Sequence, residues 1–169
     1  GGGVIGVNIA RGLRRTFPAA SVTLLEKEAE CGRHASGRNS GVLHAGFYYS
    51  PDSLKAKFTW MGNRLLTKYC DEKKIPINKC GKLVVARDKG DHAGLDELLR
   101  RGRANGVPLE EISEDHAKQI EPRAKTCERA LFSPATSTVN PAVVLEAMKN
   151  DAVNEGVRIL CAVQYLRSS

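Results

Sequence analysis

The chain has 169 residues, 41% of them hydrophobic, a formal net charge of +7 and five cysteines. That composition suits one globular domain with a sizeable core and contains no apolar run long enough to span a bilayer. The basic residues form short clusters on helix-like segments, such as Arg11/Arg14/Arg15 and Arg100/Arg101/Arg103. They are not interleaved with aromatics as in a groove for single-stranded nucleic acid, so they read as solvated helix faces or as a field for an anionic cofactor.

Cys31, Cys70, Cys80, Cys127 and Cys161 include no C-x-x-C pair, which points to free thiols in a reducing compartment. Cys31 and His34 have metal-like spacing without a second pair, so no metal site is expected.

The chain opens on Gly1-x-Gly3-x-x-Gly6 and runs into a helical pattern of Val4, Val7, Ile9, Leu13 and Phe17 that ends near Pro18. A β-branched and leucine run from Ser21 to Glu26 then reads as a buried parallel strand. Glu26 stands 20 residues after Gly6, which is the dinucleotide-binding arrangement. Gly1 allows the tight turn, and Gly3 lets the backbone approach a pyrophosphate at the helix N-terminus. Gly6 lets the helix pack close to the sheet, and Glu26 accepts hydrogen bonds from ribose hydroxyls. A strand is expected before Gly1, in the middle of such a sheet.

The stretch from His34 to Tyr49 is dense in glycine, serine and histidine. In a dinucleotide fold the loop after the second strand borders the ligand crevice. Ser36, Arg38, Asn39 and Ser40 can donate there to phosphate or ribitol oxygens. Gly37, Gly41 and Gly46 permit close approach to a flat ring system. So long a loop suggests FAD, a larger cofactor than NAD.

Next comes a helix from Ser53 to about Lys73, with Leu54, Phe58, Met61, Leu65 and Tyr69 at spacings of three and four. A strand is expected over Lys82–Arg87, and a helix over Asp91–Asn105 closed by Gly106. Ser113 caps a short helix, and Ala130–Pro134 reads as a strand. Asn140-Pro141 starts a helix that runs to Gly156, and Val157–Gln164 is the final strand. The fold class is α/β: a Rossmann-like FAD/NAD(P)-binding fold, its first strand missing, interrupted by an α+β substrate-domain insertion. The expected parts are 1–75 and 137–169 for the cofactor domain and 76–136 for the substrate domain.

GGGVIG…VTLLEKE, SGRNSGVLHAGFYYSPDSLKAKF, CGKLVVA, IEPRAK and ALFSPATSTV together closely resemble the L-2-hydroxyglutarate dehydrogenases. That family lies within the FAD-dependent D-amino-acid oxidase-like superfamily. The resemblance runs to about Leu160, is most specific from Asn39 to Lys57, and is lost in the closing YLRSS. It implies FAD-dependent oxidation of (S)-2-hydroxyglutarate to 2-oxoglutarate by hydride transfer to flavin, with electrons leaving to a quinone or a carrier protein.

The resemblance also implies roles. Gly1, Gly3, Gly6 and Glu26 take the pyrophosphate and ribose positions, and Lys27 lies near the adenosine. Ser36, Arg38, Asn39, Ser40 and Gly41 form the flavin-side loop. His44 and Gly46 belong to the segment beneath the isoalloxazine, with His44 nearest the chemistry. The catalytic base is not assigned. His34, His92 and His116 read as surface residues. Tyr48 and Tyr49 read as core or pocket wall, and Lys55 and Lys57 as solvated or dicarboxylate-attracting. The compartment expected is mitochondrial for a eukaryotic source, and cytoplasmic or inner-membrane-associated for a bacterial one. The alternatives are an FAD enzyme for another hydroxy or amino acid, such as glycerol-3-phosphate, or an inactive fragment that folds poorly alone. A basic nucleic-acid binder is the remaining alternative.

Overall fold

Gly3 starts the first helix, α1 (Val4–Thr16), with no side-chain cap, and Arg14 and Arg15 occupy its last turn. Cations there oppose the negative end of the helix dipole. The Phe17 N–H donates to the Leu13 carbonyl, and Pro18 cannot extend the helix. The strand β1 (Thr23–Leu25) follows and pairs in parallel with β8 (Arg158–Leu160), Thr23 opposite Arg158 and Leu25 opposite Leu160. Parallel pairing requires a crossover, and α5 (Pro141–Asn154) leads directly into β8. Asn140 caps α5, its Oδ1 accepting from the Ala142 N–H at 3.0 Å, and Pro141 takes a first-turn position where no N–H is missed.

These elements share one core of Val7, Ala10, Leu24, Leu145, Ala152 and Val157. Across the contact between α1 and α5, the Arg11 guanidinium reaches Asp151 at 3.2 Å and Glu155 at 2.7 Å, and Arg15 also holds Glu155.

The computed structural model describes residues 1–167. By contacts it divides into two units, one holding residues 1–41 and the described residues from Asn140 onward, the other Val42–Val139. The sequence places the first boundary near residue 75; the contacts place it at Gly41.

The second unit contains two antiparallel sheets. One has the order β2 (Val42–Leu43), β7 (Ser137–Val139), β3 (Ile77–Asn78); the other has β4 (Lys82–Val85), β6 (Arg129–Ser133), β5 (Glu110–Ser113). Three α-helices accompany them: α2 (Leu54–Lys73), α3 (His92–Ala104) and α4 (Glu114–Ile120). Ser53 and Ser113 cap α2 and α4, accepting from the Ala56 and His116 N–H groups.

The helices begin where capping residues and apolar periodicity place them. β1, β4 and β8 are shorter than expected and β6 is as long as expected, while β2, β3, β5 and β7, of two to four residues each, carry too few residues to show an alternation. The last strand stops at Leu160 because Ala162, at φ 56°, leaves the extended conformation.

The apolar stripe of α2 is the clearest departure. Leu54, Phe58 and Leu65 are 69%, 61% and 65% exposed, while the helix buries Ala56, Asn63 and Cys70 instead. Among the described residues nothing covers that stripe.

Candidate functional site

Two clusters carry the residues singled out from the sequence, one in each unit. In the first, the glycine loop meets the N-terminus of α1. A Cβ on Gly6 would lie 2.0 Å from the Gly1 carbonyl oxygen, so only glycine lets the helix sit this close to the loop. A Cβ on Gly3 would come within 3.1 Å of the Ser36 hydroxyl, a tighter approach than side chains normally make. The Ser36 Oγ accepts from the Val4 N–H at 3.0 Å and keeps its own proton for a ligand. The rest of the first helical turn has N–H groups with no partner inside the helix, and these with the dipole favour an anion.

Glu26 is buried at the end of β1. Its carboxylate accepts from the Glu28 N–H at 2.9 Å and from the Gly2 N–H. These two backbone donors, that of Glu28 first, hold its pKa below the usual carboxylate value. An ionised carboxylate has room for more than two acceptor contacts, so ribose hydroxyls can still bind.

Asn39 folds the polar loop on itself. Its Nδ2 donates to the Ala35 carbonyl at 2.9 Å and its Oδ1 accepts from the Gly41 N–H at 2.9 Å. Arg38 and Ser40 are exposed. Lys27 is exposed as well, and its ammonium sits 2.8 Å from Glu28, which also receives His34 at 2.9 Å. Thus Gly1, Gly3, Gly6, Glu26 and Ser36 converge, whereas Lys27 pairs with a neighbouring acid.

The second cluster surrounds the segment 43–49. Gly46 is buried with φ 96°, a left-handed conformation that favours glycine. Four carbonyls of the segment are held by side chains from two helices. From α2, Asn63 donates to Leu43 at 3.1 Å and to Ala135 at 3.0 Å. From α3, Arg101 donates to Tyr48 at 2.9 Å, and Asn105, just past its end, donates to Tyr49 at 3.0 Å and Gly46 at 3.3 Å.

Phe47, three positions after His44, is buried and packs on Tyr48 with ring centroids 4.3 Å apart. The His44 side chain is open to solvent, yet its pKa lies below the usual histidine value. Desolvation by neighbouring atoms is the larger cause and the Lys82 ammonium the second. It is therefore a neutral imidazole at neutral pH.

Tyr48 joins the core around Phe47 and Val107, and Lys55 lies 4.5 Å from the Tyr49 ring centroid. Of the three histidines expected at the surface, His34 and His116 are exposed, while His92 is half-buried and bonded to the Cys127 carbonyl at 3.0 Å. Asn63, Arg101, Asn105 and Lys82 were not evident in the sequence. Asn63 carries one signal: asparagine is a poor choice inside a helix, so a buried one there must be making specific hydrogen bonds.

Residues 1–167 match the family described as FAD dependent oxidoreductase. A protein of Nematostella vectensis named "L-2-hydroxyglutarate dehydrogenase, mitochondrial" is 44% identical over 154 residues, 89% of this chain and 33% of that protein. The protein named "L-2-hydroxyglutarate dehydrogenase" of Escherichia coli K12 is 38% identical over 95% of this chain and 38% of its own length. The chain thus spans about a third of the length of the curated relatives it matches. Among solved structures, L-alpha-glycerophosphate oxidase from Mycoplasma pneumoniae with FAD bound superposes with a TM-score of 0.83 at 27% identity, over 96% of this chain and 43% of that one. Glycine oxidase from Geobacillus kaustophilus, at 23% identity and a TM-score of 0.81 over 96% of this chain and 45% of that one, shares the fold.

Proposed function

The chain belongs to the FAD-dependent oxidoreductase family, and from that premise we propose that the protein carrying it oxidises (S)-2-hydroxyglutarate to 2-oxoglutarate. The observation that carries this reading is the identity of 38–44% with proteins named L-2-hydroxyglutarate dehydrogenase over about nine-tenths of the chain.

The residues fit the cofactor. The first-turn N–H groups of α1 without a partner inside the helix and the Ser36 hydroxyl beside Gly3 suit a pyrophosphate, and the remaining lone pairs of Glu26 suit a ribose. Arg38, Asn39, Ser40 and Gly41 are the flavin-side loop in this reading, and Lys27 stands toward the adenosine. FAD, when bound, supplies the two-electron acceptor.

The chain's own part is to place the substrate. The clamp of Asn63, Arg101 and Asn105 fixes the segment that carries His44. The neutral imidazole of His44 hydrogen-bonds the hydroxy acid without adding a second charge next to Lys82. Electrons then leave to a quinone or a carrier protein. The compartment is mitochondrial for a eukaryotic source, as in the names of the Dictyostelium and Nematostella relatives, and cytoplasmic or inner-membrane-associated for a bacterial one.

A second reading, oxidation of another hydroxy acid such as glycerol-3-phosphate, draws on the likeness to glycerophosphate oxidase. Turnover of the full-length protein with an artificial acceptor separates the two. The main reading expects 2-oxoglutarate from the (S) enantiomer and none from the (R). Turnover of glycerol-3-phosphate alone overturns it in favour of the second.

A further inference from the structure

Lys82 opens β4, is half-buried, and among the described residues makes no ion pair. A half-buried cation without an anion is unfavourable, which makes its surroundings informative. Its Nζ lies 4.6 Å from the centroid of the Tyr48 ring, so the aromatic face takes one side of the ammonium. The N–H donors not turned to the ring are open to a ligand.

Both partners are fixed. Arg101 pins the Tyr48 carbonyl at 2.9 Å, and Tyr48 stacks on the buried Phe47. The antiparallel pairing of β4 with β6 sets Lys82 opposite Ser133, a fully buried serine whose hydroxyl bonds that of Thr136 at 3.2 Å. Among the described residues no carboxylate pairs with Lys82, and the ammonium's charge reaches His44. The cluster therefore combines one fixed cation, one aromatic face and one imidazole.

We propose that the Lys82 ammonium receives a carboxylate of the substrate beside His44, making Lys82 a binding residue selective for a dicarboxylic hydroxy acid. The inference rests on the function proposed above and deepens it. A charge-assisted hydrogen bond of this kind is worth about a ten- to hundredfold change in affinity.

The test uses the full-length protein with FAD. Binding of glutarate, a dicarboxylate with no hydroxyl to oxidise, is measured directly by calorimetry, beside kcat and KM for (S)-2-hydroxyglutarate. For Lys82→Met the expected result is an FAD content equal to the parent's, a weakening of glutarate binding and a rise in KM of at least about tenfold, and a smaller change in kcat. Lys82→Arg restores most of the binding. Lys82→Gln, which keeps a polar end, serves if the methionine variant does not fold, and it must show the same loss. Glutarate binding and KM unchanged in a folded, flavinated Lys82→Met or Lys82→Gln protein overturn the assignment while leaving the function standing. A parent protein that (S)-2-hydroxyglutarate does not reduce overturns the function itself, independently of any variant.

Discussion

Asn63 is a polar side chain in the middle of α2, and it donates to carbonyls 20 and 72 positions away in sequence. Asn63→Ala leaves both acceptors short of a donor in a largely buried place. The expected loss is about 1–3 kcal/mol of stability together with a fall in kcat, because the segment bearing His44 loosens. Thermal melting and steady-state kinetics of the full-length variant check both. Glu26 acts by a different route. Its carboxylate is held ionised by the Glu28 and Gly2 N–H groups, so its contribution to the loop is present above the ordinary carboxylate pKa and is lost as pH falls through its depressed value. Glu26→Ala should release FAD about tenfold more readily, read from the ratio of flavin to protein absorbance after gel filtration.

At this scale the sequence was readable where spacing encodes chemistry. Gly1, Gly3, Gly6 and Glu26 declare themselves because turn, helix end and strand end must recur in that order. Lys82 and Asn105 do not, because their meaning lies in the carbonyl or ring opposite them. Only folding supplies those partners.

The helices were legible, as were β1, β4, β6 and β8, whereas β2, β3, β5 and β7 were not. A helix of 13 or 20 residues shows several turns of periodicity and ends on recognisable caps. A strand of two residues such as β2 has no period to read, and its pairing with β7 depends on residues almost a hundred positions away.

Two element-scale predictions follow from the helix ends and contacts. Lys74 closes α2 at φ 55°, a conformation costing a non-glycine residue about 1 kcal/mol. Lys74→Gly should recover roughly 0.5–1 kcal/mol, seen as a higher melting temperature; a lower one would mean the lysine side chain contributes more than the strain. Glu155 joins α5 to α1 through Arg15 and Arg11, which hold its pKa down to about 2. A carboxylate depressed in the folded state stabilises it above the unfolded pKa, and that stability is lost on acidification. The helix pair should therefore weaken as pH falls from about 4.5 toward about 2. Glu155→Gln should remove that part of the acid sensitivity, measurable as a flatter dependence of melting temperature on pH.

At the scale of the whole molecule, the apolar periodicity of α2 marks a stripe, but its burial does not follow from its spacing. Leu54, Phe58, Met61 and Leu65 are exposed, as are Ile5, Ile9, Leu13 and Phe17 on or beside α1. Periodicity reports that a face is apolar, whereas the covering element is a property of tertiary structure. Apolar patches of this extent promote association. The 169 residues expressed alone should self-associate and bind a hydrophobic dye, and lysines at Leu54, Phe58 and Leu65 should reduce both. A monomeric, dye-silent chain by light scattering would contradict this reading of the surface.

The measurement that tests the account most directly is anaerobic reduction of the full-length, FAD-loaded protein by stoichiometric (S)-2-hydroxyglutarate. The expected result is loss of the oxidised-flavin absorbance with one equivalent of 2-oxoglutarate formed per flavin. A flavin that stays oxidised with this substrate, yet is bleached by another hydroxy or amino acid, would contradict it.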